Sequence, residues 1–107
     1  MISSDVIRGY NDLIILGLLL KKPSYGYDIS RQIREITDDR YIIKETTLYS
    51  AFNRLLKQGF IESYTDVSPH GRQRTYYRIT TAGRGYYHEK CEEWELTKDV
   101  INQFIRE

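Results

Sequence analysis

Over residues 5–21 the apolar positions Ile7, Tyr10, Leu13, Ile14, Leu16, Leu18 and Leu20 surround a predicted helix on most of its circumference. A helix apolar nearly all round is buried on more than one side. Asp5 is its predicted N-cap, and Pro23 stops it, because the residue before a proline is driven out of the helical region. Ser24 then caps a second helix over 25–37. Tyr25, Ile29, Ile33 and Ile36 lie on one of its faces, Asp28, Arg31, Gln32 and Glu35 on the other. The connector between these helices, residues 21–24, is short enough to make them cross at close range. Tyr41, Ile42 and Ile43 read as one short strand. A third helix opens at Glu45, Thr46 and Thr47 and closes at Gly59, a natural residue just past a helix end. Its core face is Leu48, Phe52, Leu55 and Leu56, and its opposite face is Tyr49, Ser50, Asn53, Arg54 and Lys57.

Beyond residue 59 the period changes from helical to alternating. Residues 60–67 and 72–80 predict two strands joined by the turn Ser68, Pro69, His70 and Gly71, a β-hairpin. Residues 81–107 return to a helical pattern free of proline. The order helix, helix, short strand, helix, strand, strand, long helix predicts an α+β fold that is mainly α. It is a winged helix-turn-helix over 1–80 with a long C-terminal dimerisation helix over 81–107.

Composition narrows the classes. A chain of 107 residues makes one domain with a modest core, which would gain from oligomerisation. Hydrophobic residues at 40% and charged residues at 29% fit a folded globular protein. No apolar run approaches the roughly 20 residues of a membrane span, and no signal-type segment opens the chain. The expectation is a cytoplasmic protein with no membrane partner. Cys91 is the single cysteine, which excludes an internal disulfide and fits a reducing compartment. The net charge of +1 hides an uneven distribution: residues 44–84 carry seven Lys/Arg against three Asp/Glu, and residues 85–107 three against six. The basic middle is where a polyanion would dock.

Alternation along the second long strand places Arg72, Arg74, Tyr76 and Arg78 on one side and Gln73, Thr75, Tyr77 and Ile79 on the other. Three guanidiniums on one side of a ribbon repel each other unless an anion lies against them, and nucleic-acid phosphates meet that need. The plainer reading is that they solubilise an edge strand. The third helix shifts the balance. Its outer side carries Thr46, Thr47, Tyr49, Ser50, Asn53, Arg54 and Lys57, with no acid between Glu45 and Glu62. Short hydroxyls, an amide and cations are the side chains that reach phosphates and base edges. With Arg8 and Lys44 these residues make the expected DNA-binding set. A winged helix used only for protein–protein assembly is the alternative, and it would not need an acid-free third helix.

These residues resemble the PadR-like transcriptional regulators over nearly the whole chain. IRGYNDLIILGLL and SYGYDI are similar to the family's first two helices, TTLYSAFNRLLKQGFIES to its recognition helix, and GRQRTYYRITTAGR to its wing. One departure is Ser50, where many members have proline. The resemblance implies a homodimeric bacterial repressor on palindromic DNA, of the short subfamily with a single C-terminal helix.

In the last helix, Tyr87, Trp94 and Ile101 recur at heptad spacing, with Cys91 and Ile105 at the matching positions and Lys98 interrupting them. The stripe packs either on the first helix of its own chain or on a second copy, and dimerisation is the expectation. With Tyr10 it forms the expected dimer and ligand set. In the short subfamily a tryptophan placed like Trp94 walls a dimer-interface pore for planar aromatic compounds; otherwise it anchors the interface. His88 and Cys91 lack a third metal ligand. No phosphate loop, Ser-His-Asp set or buried carboxylate pair is readable, so neither enzyme chemistry nor a cofactor or metal is expected.

Overall fold

The computed structural model describes residues 2–105. Five helices and three strands follow one another: α1 (Ser4–Ile7), α2 (Asn11–Leu19), β1 (Ser24–Tyr25), α3 (Gly26–Ile36), α4 (Glu45–Lys57), β2 (Ile61–Val67), β3 (Gln73–Ile79) and α5 (Thr81–Asn102). The strands form one antiparallel sheet in the order β1-β3-β2. The fold is the expected mixture of helices and a small sheet, a winged helix-turn-helix.

Local structure departs from the predicted elements at four places. The first helix is broken, since a 3-10 turn over Arg8–Tyr10 separates α1 from α2. Ser3, not Asp5, caps α1, its hydroxyl accepting from the Val6 N–H at 3.4 Å. Ser24 caps nothing. Its backbone pairs with β3 opposite Tyr77, and its hydroxyl donates to Asp28 Oδ2 at 2.6 Å. Residues 41–43 form no strand, so the third strand comes from Ser24–Tyr25 instead. Tyr41 and Ile43 are buried and Ile42 exposed, an alternation that mimics a strand without pairing.

The core lies where α2, α3 and α4 meet the inner face of the sheet. Ile15, Leu16, Leu19, Ile29, Phe52 and Leu55 are its largest fully buried members. Phe52 stacks on Tyr77 with ring centroids 4.0 Å apart, which fastens α4 to β3. As expected, Leu48, Phe52 and Leu55 are buried and Leu56 packs against the core. After the C-cap Gln58, Gly59 takes a positive φ of 78° that turns the chain into β2.

One long-range hydrogen bond is fully buried: the Tyr41 hydroxyl donates to Asn11 Oδ1 at 2.6 Å. Burial pushes the Tyr41 phenol pKa up. Tyr41→Phe leaves the Asn11 oxygen buried and unpaired, so chemical denaturation should show a loss of about 1–2 kcal/mol. A variant as stable as the parent would mean that water reaches that oxygen.

Candidate nucleic-acid interface

The outer face of α4 forms because its apolar residues are drawn onto α2, α3 and β3, which leaves Thr46, Tyr49, Ser50, Asn53, Arg54 and Lys57 exposed. Thr47 is half-buried. Two clefts flank the first turns of α4. One, about 500 Å³, brings together Arg8, Gly9, Asn11, Asp12, Thr46, Thr47, Ser50 and Arg54. The other, about 260 Å³, is lined by residues that include Tyr27, Ser30, Glu45, Tyr49 and Arg74. The structure therefore gathers five of the expected DNA-binding residues in one cleft and two more in the second. Lys44, Asn53, Lys57, Arg72, Tyr76 and Arg78 lie outside both.

The second cleft has a tight wall. A Cβ on Gly26 would sit 2.4 Å from the Tyr49 hydroxyl, so the Tyr49 side chain closes against the start of α3 over residue 26. Beneath it, Asp28 accepts from Ser24, Arg31 and Gln32. Burial opposes ionisation of this carboxyl, but the three donors outweigh it and hold its pKa below the ordinary value.

The wing corrects one expectation. Its arginines are not a bare row of repelling cations. In the observed register Glu62 stands opposite Arg78 and Asp66 opposite Arg74, while Arg72 lies beyond the paired residues. Arg78 donates to Glu62 Oε1 at 2.7 Å and lies 5.2 Å from the Tyr64 ring centroid. The Arg74 guanidinium lies 5.5 Å from the Tyr25 ring centroid, with a buried Nε that has no hydrogen-bond partner. Tyr25, Tyr76 and Tyr64 stand in register across the three strands, with successive ring centroids 5.1 and 5.7 Å apart. The repulsion inferred from β3 alone is relieved at Arg78 by the Glu62 carboxylate and at Arg74 by the Tyr25 ring.

Ion pairing sorts the remaining cations. Arg8 pairs with Asp5 at 2.8 Å, and Arg54 pairs with Asp12. Among the described residues, Lys44, Lys57 and Arg72 make no ion pair. Arg72 ends the hairpin turn, where the Ser68 N–H donates to its carbonyl at 2.8 Å and Gly71 takes a φ of 82°. Sequence reading missed Asp12, Glu62, Tyr25 and Tyr64. Counting outward from the Ser-Pro-His-Gly turn sets Glu62 opposite Tyr77, whereas the observed loop is one residue longer and sets it opposite Arg78; nothing in the order of residues announces Asp12.

The dimer and ligand set divides in two. Tyr10, Trp94, Lys98 and Ile101 line one groove of about 580 Å³, together with Ile2, Val6, Ile7, Leu13 and Ile14. The Tyr10 and Trp94 rings meet edge to face at 5.1 Å within the chain. Tyr87 turns instead toward Gly17 of α2, 3.4 Å from where a Cβ there would sit. Cys91 is half-buried and lines neither wall. Ile105 lies past the end of α5, so the heptad stripe stops at Ile101 on the helix itself.

This helix-turn-helix with its β-hairpin defines the winged-helix class, and comparison with known proteins narrows it. Residues 15–89 match the Transcriptional regulator PadR-like family. A transcriptional regulator from Clostridium thermocellum superposes with a TM-score of 0.91 at 62% identity, covering 99% of this chain and all of that one. A PadR family transcription regulator of Clostridium difficile gives a TM-score of 0.79 at 38% identity, covering 92% of this chain and 100% of its own. The Negative transcriptional regulator PadR of Bacillus subtilis is 29% identical over 87% of this chain, which spans 49% of that relative. The chain belongs to the PadR-like family of transcriptional regulators, a family of regulators and not of enzymes. No helix among the described residues is long and apolar enough to cross a membrane.

Proposed function

We propose that this chain is a repressor that binds palindromic operator DNA in the cytoplasm as a homodimer, with residues 1–80 reading DNA and 81–107 joining the two copies. The observation that carries the reading is the outer face of α4: Tyr49, Ser50, Asn53 and Lys57 are all exposed, and none is tied to an acid. Side chains of these types reach base edges and phosphates in a major groove. The unpaired Arg72 at the hairpin tip suits an adjacent phosphate. A relative called a negative regulator supports repression.

Dimerisation is supported by the apolar residues left uncovered toward the end of the chain. Leu96, Val100, Ile101, Phe104 and Ile105 are exposed, Phe104 to 79%, and a second copy would cover them. The groove that Tyr10 and Trp94 line would then take a flat aromatic effector. Lys98 at its rim donates to Glu95 at 2.7 Å, so its charge is compensated and does not bar a cationic guest.

The test is affinity for a duplex from the protein's own promoter, with half-sites about one helical turn apart. Binding should weaken steeply with salt as phosphates regain counterions, and a random duplex should bind less tightly. Salt-indifferent binding, or equal affinity for both duplexes, would overturn the repressor and leave an assembly module.

A further inference from the structure

Arg54 stands on the face proposed to meet DNA, close to Ser50 and Asn53, yet its guanidinium is already occupied. Its Nε donates to Asp12 Oδ2 at 3.2 Å, and Nη2 donates to Oδ1 of the same carboxylate. A two-pronged pair of this kind fixes direction as well as charge. The acid comes from α2, in its first turn, where the helix N-terminus favours negative charge. The Asp12 side chain is only 16% exposed and that of Arg54 48%. The carboxylate is therefore largely sheltered from water and salt, unlike Asp5 and Arg8, which form a loose surface pair.

The cleft that holds this pair also holds Arg8, Thr46, Thr47 and Ser50. A phosphate entering it would compete with a resident carboxylate for each arginine. Free arginines would grip the phosphates of any sequence, because backbone contacts carry no base information. Restrained ones lower that indiscriminate term and leave base readers on the same helix untouched.

We propose that Asp12 is a specificity-determining residue: it holds Arg54 away from DNA phosphates, which suppresses binding to non-operator sequence. The inference rests on the proposed DNA-binding function and adds to it a residue that acts by withholding a contact.

The experiment measures affinity for the protein's own promoter duplex and for a random duplex, over a range of salt, in four proteins: parent, Asp12→Asn, Arg54→Gln and the double variant. Asp12→Asn should tighten the random duplex on the order of five-fold near 0.1 M salt, and steepen the salt slope by about one unit, as one freed cation would. The ratio of promoter to random affinity should fall. In the Arg54→Gln background the same substitution should do nothing. Unchanged random-duplex affinity in Asp12→Asn overturns the proposal, and so does an equal gain in both backgrounds, which would mean simple repulsion of phosphate by Asp12. Should Asp12→Asn fail to fold, Arg54→Gln decides alone. Random-duplex affinity within about two-fold of the parent supports restraint; weaker binding with a shallower salt slope shows that Arg54 already grips phosphate and overturns it. A parent without promoter preference refutes the repressor reading itself, a result distinguishable from all of these.

Discussion

Gly83→Ala is expected to cost about 3 kcal/mol, the upper part of the range for overpacking a close contact, and to lower the melting temperature by more than about 10 °C. An alanine inside a helix ordinarily stabilises relative to glycine. Here the added Cβ would stand 2.1 Å from the Phe60 carbonyl oxygen and 2.8 Å from Ile79 Cγ1. That oxygen cannot swing aside, since it accepts the Thr80 N–H at 3.0 Å. The same corner is pinned twice more by Thr80, whose hydroxyl donates to the Gly59 carbonyl at 2.7 Å and accepts from the Gly83 N–H at 3.0 Å. Phe60 stacks on Tyr86 of α5 at 4.3 Å. The clash would lever α5 off the sheet. Gly85→Ala is the control, with open space around its Cβ, and thermal denaturation should show it at least as stable as the parent. Equal melting of both variants would mean that α5 does not approach β2 this closely.

Asn53→Ala should cost about 1–3 kcal/mol in affinity for the operator and relax the preferred sequence at one position, as loss of a base contact does. Arg72→Ala should instead weaken every duplex alike and lower the salt slope by about one unit. The contrast follows from placement, because Asn53 is exposed on the middle of α4 and Arg72 at a hairpin tip. Binding to a panel of operator variants separates the two. A sequence-blind loss from Asn53→Ala would show that α4 does not read bases.

Much of the architecture was legible because it is local. The third helix could be read residue by residue, since its apolar face repeats with the helical period and Gly59 marks its end. Features set by neighbours distant in the chain escaped. The two residues of β1 carry no strand signal of their own, being defined by Tyr76 and Tyr77 opposite them. Tyr41 and Ile43 look like strand residues because both are buried, yet they fill the core without a ladder. The α4 face reads as free of acid along the chain, but Asp12, 42 positions earlier, folds onto it. The hairpin arginines were visible and their counterions were not, since cross-strand register decides which acid stands opposite which base.

The short strand β1 has a consequence for the entropy of association. Ser24 opens the segment that leads into α3, and its pairing with Tyr77 ties the turn between the helices to the hairpin. The Phe52 and Tyr77 stack ties the hairpin to α4 from the other side. Helix α4 and the hairpin thus belong to one stiff body whose mutual placement is settled on folding. Docking on a duplex then requires little ordering of either part. In the proposed homodimer, adjustment to the spacing of two half-sites would fall to the joint between the copies, which would make α5 the place where a small effector changes DNA affinity without touching a residue proposed to meet DNA.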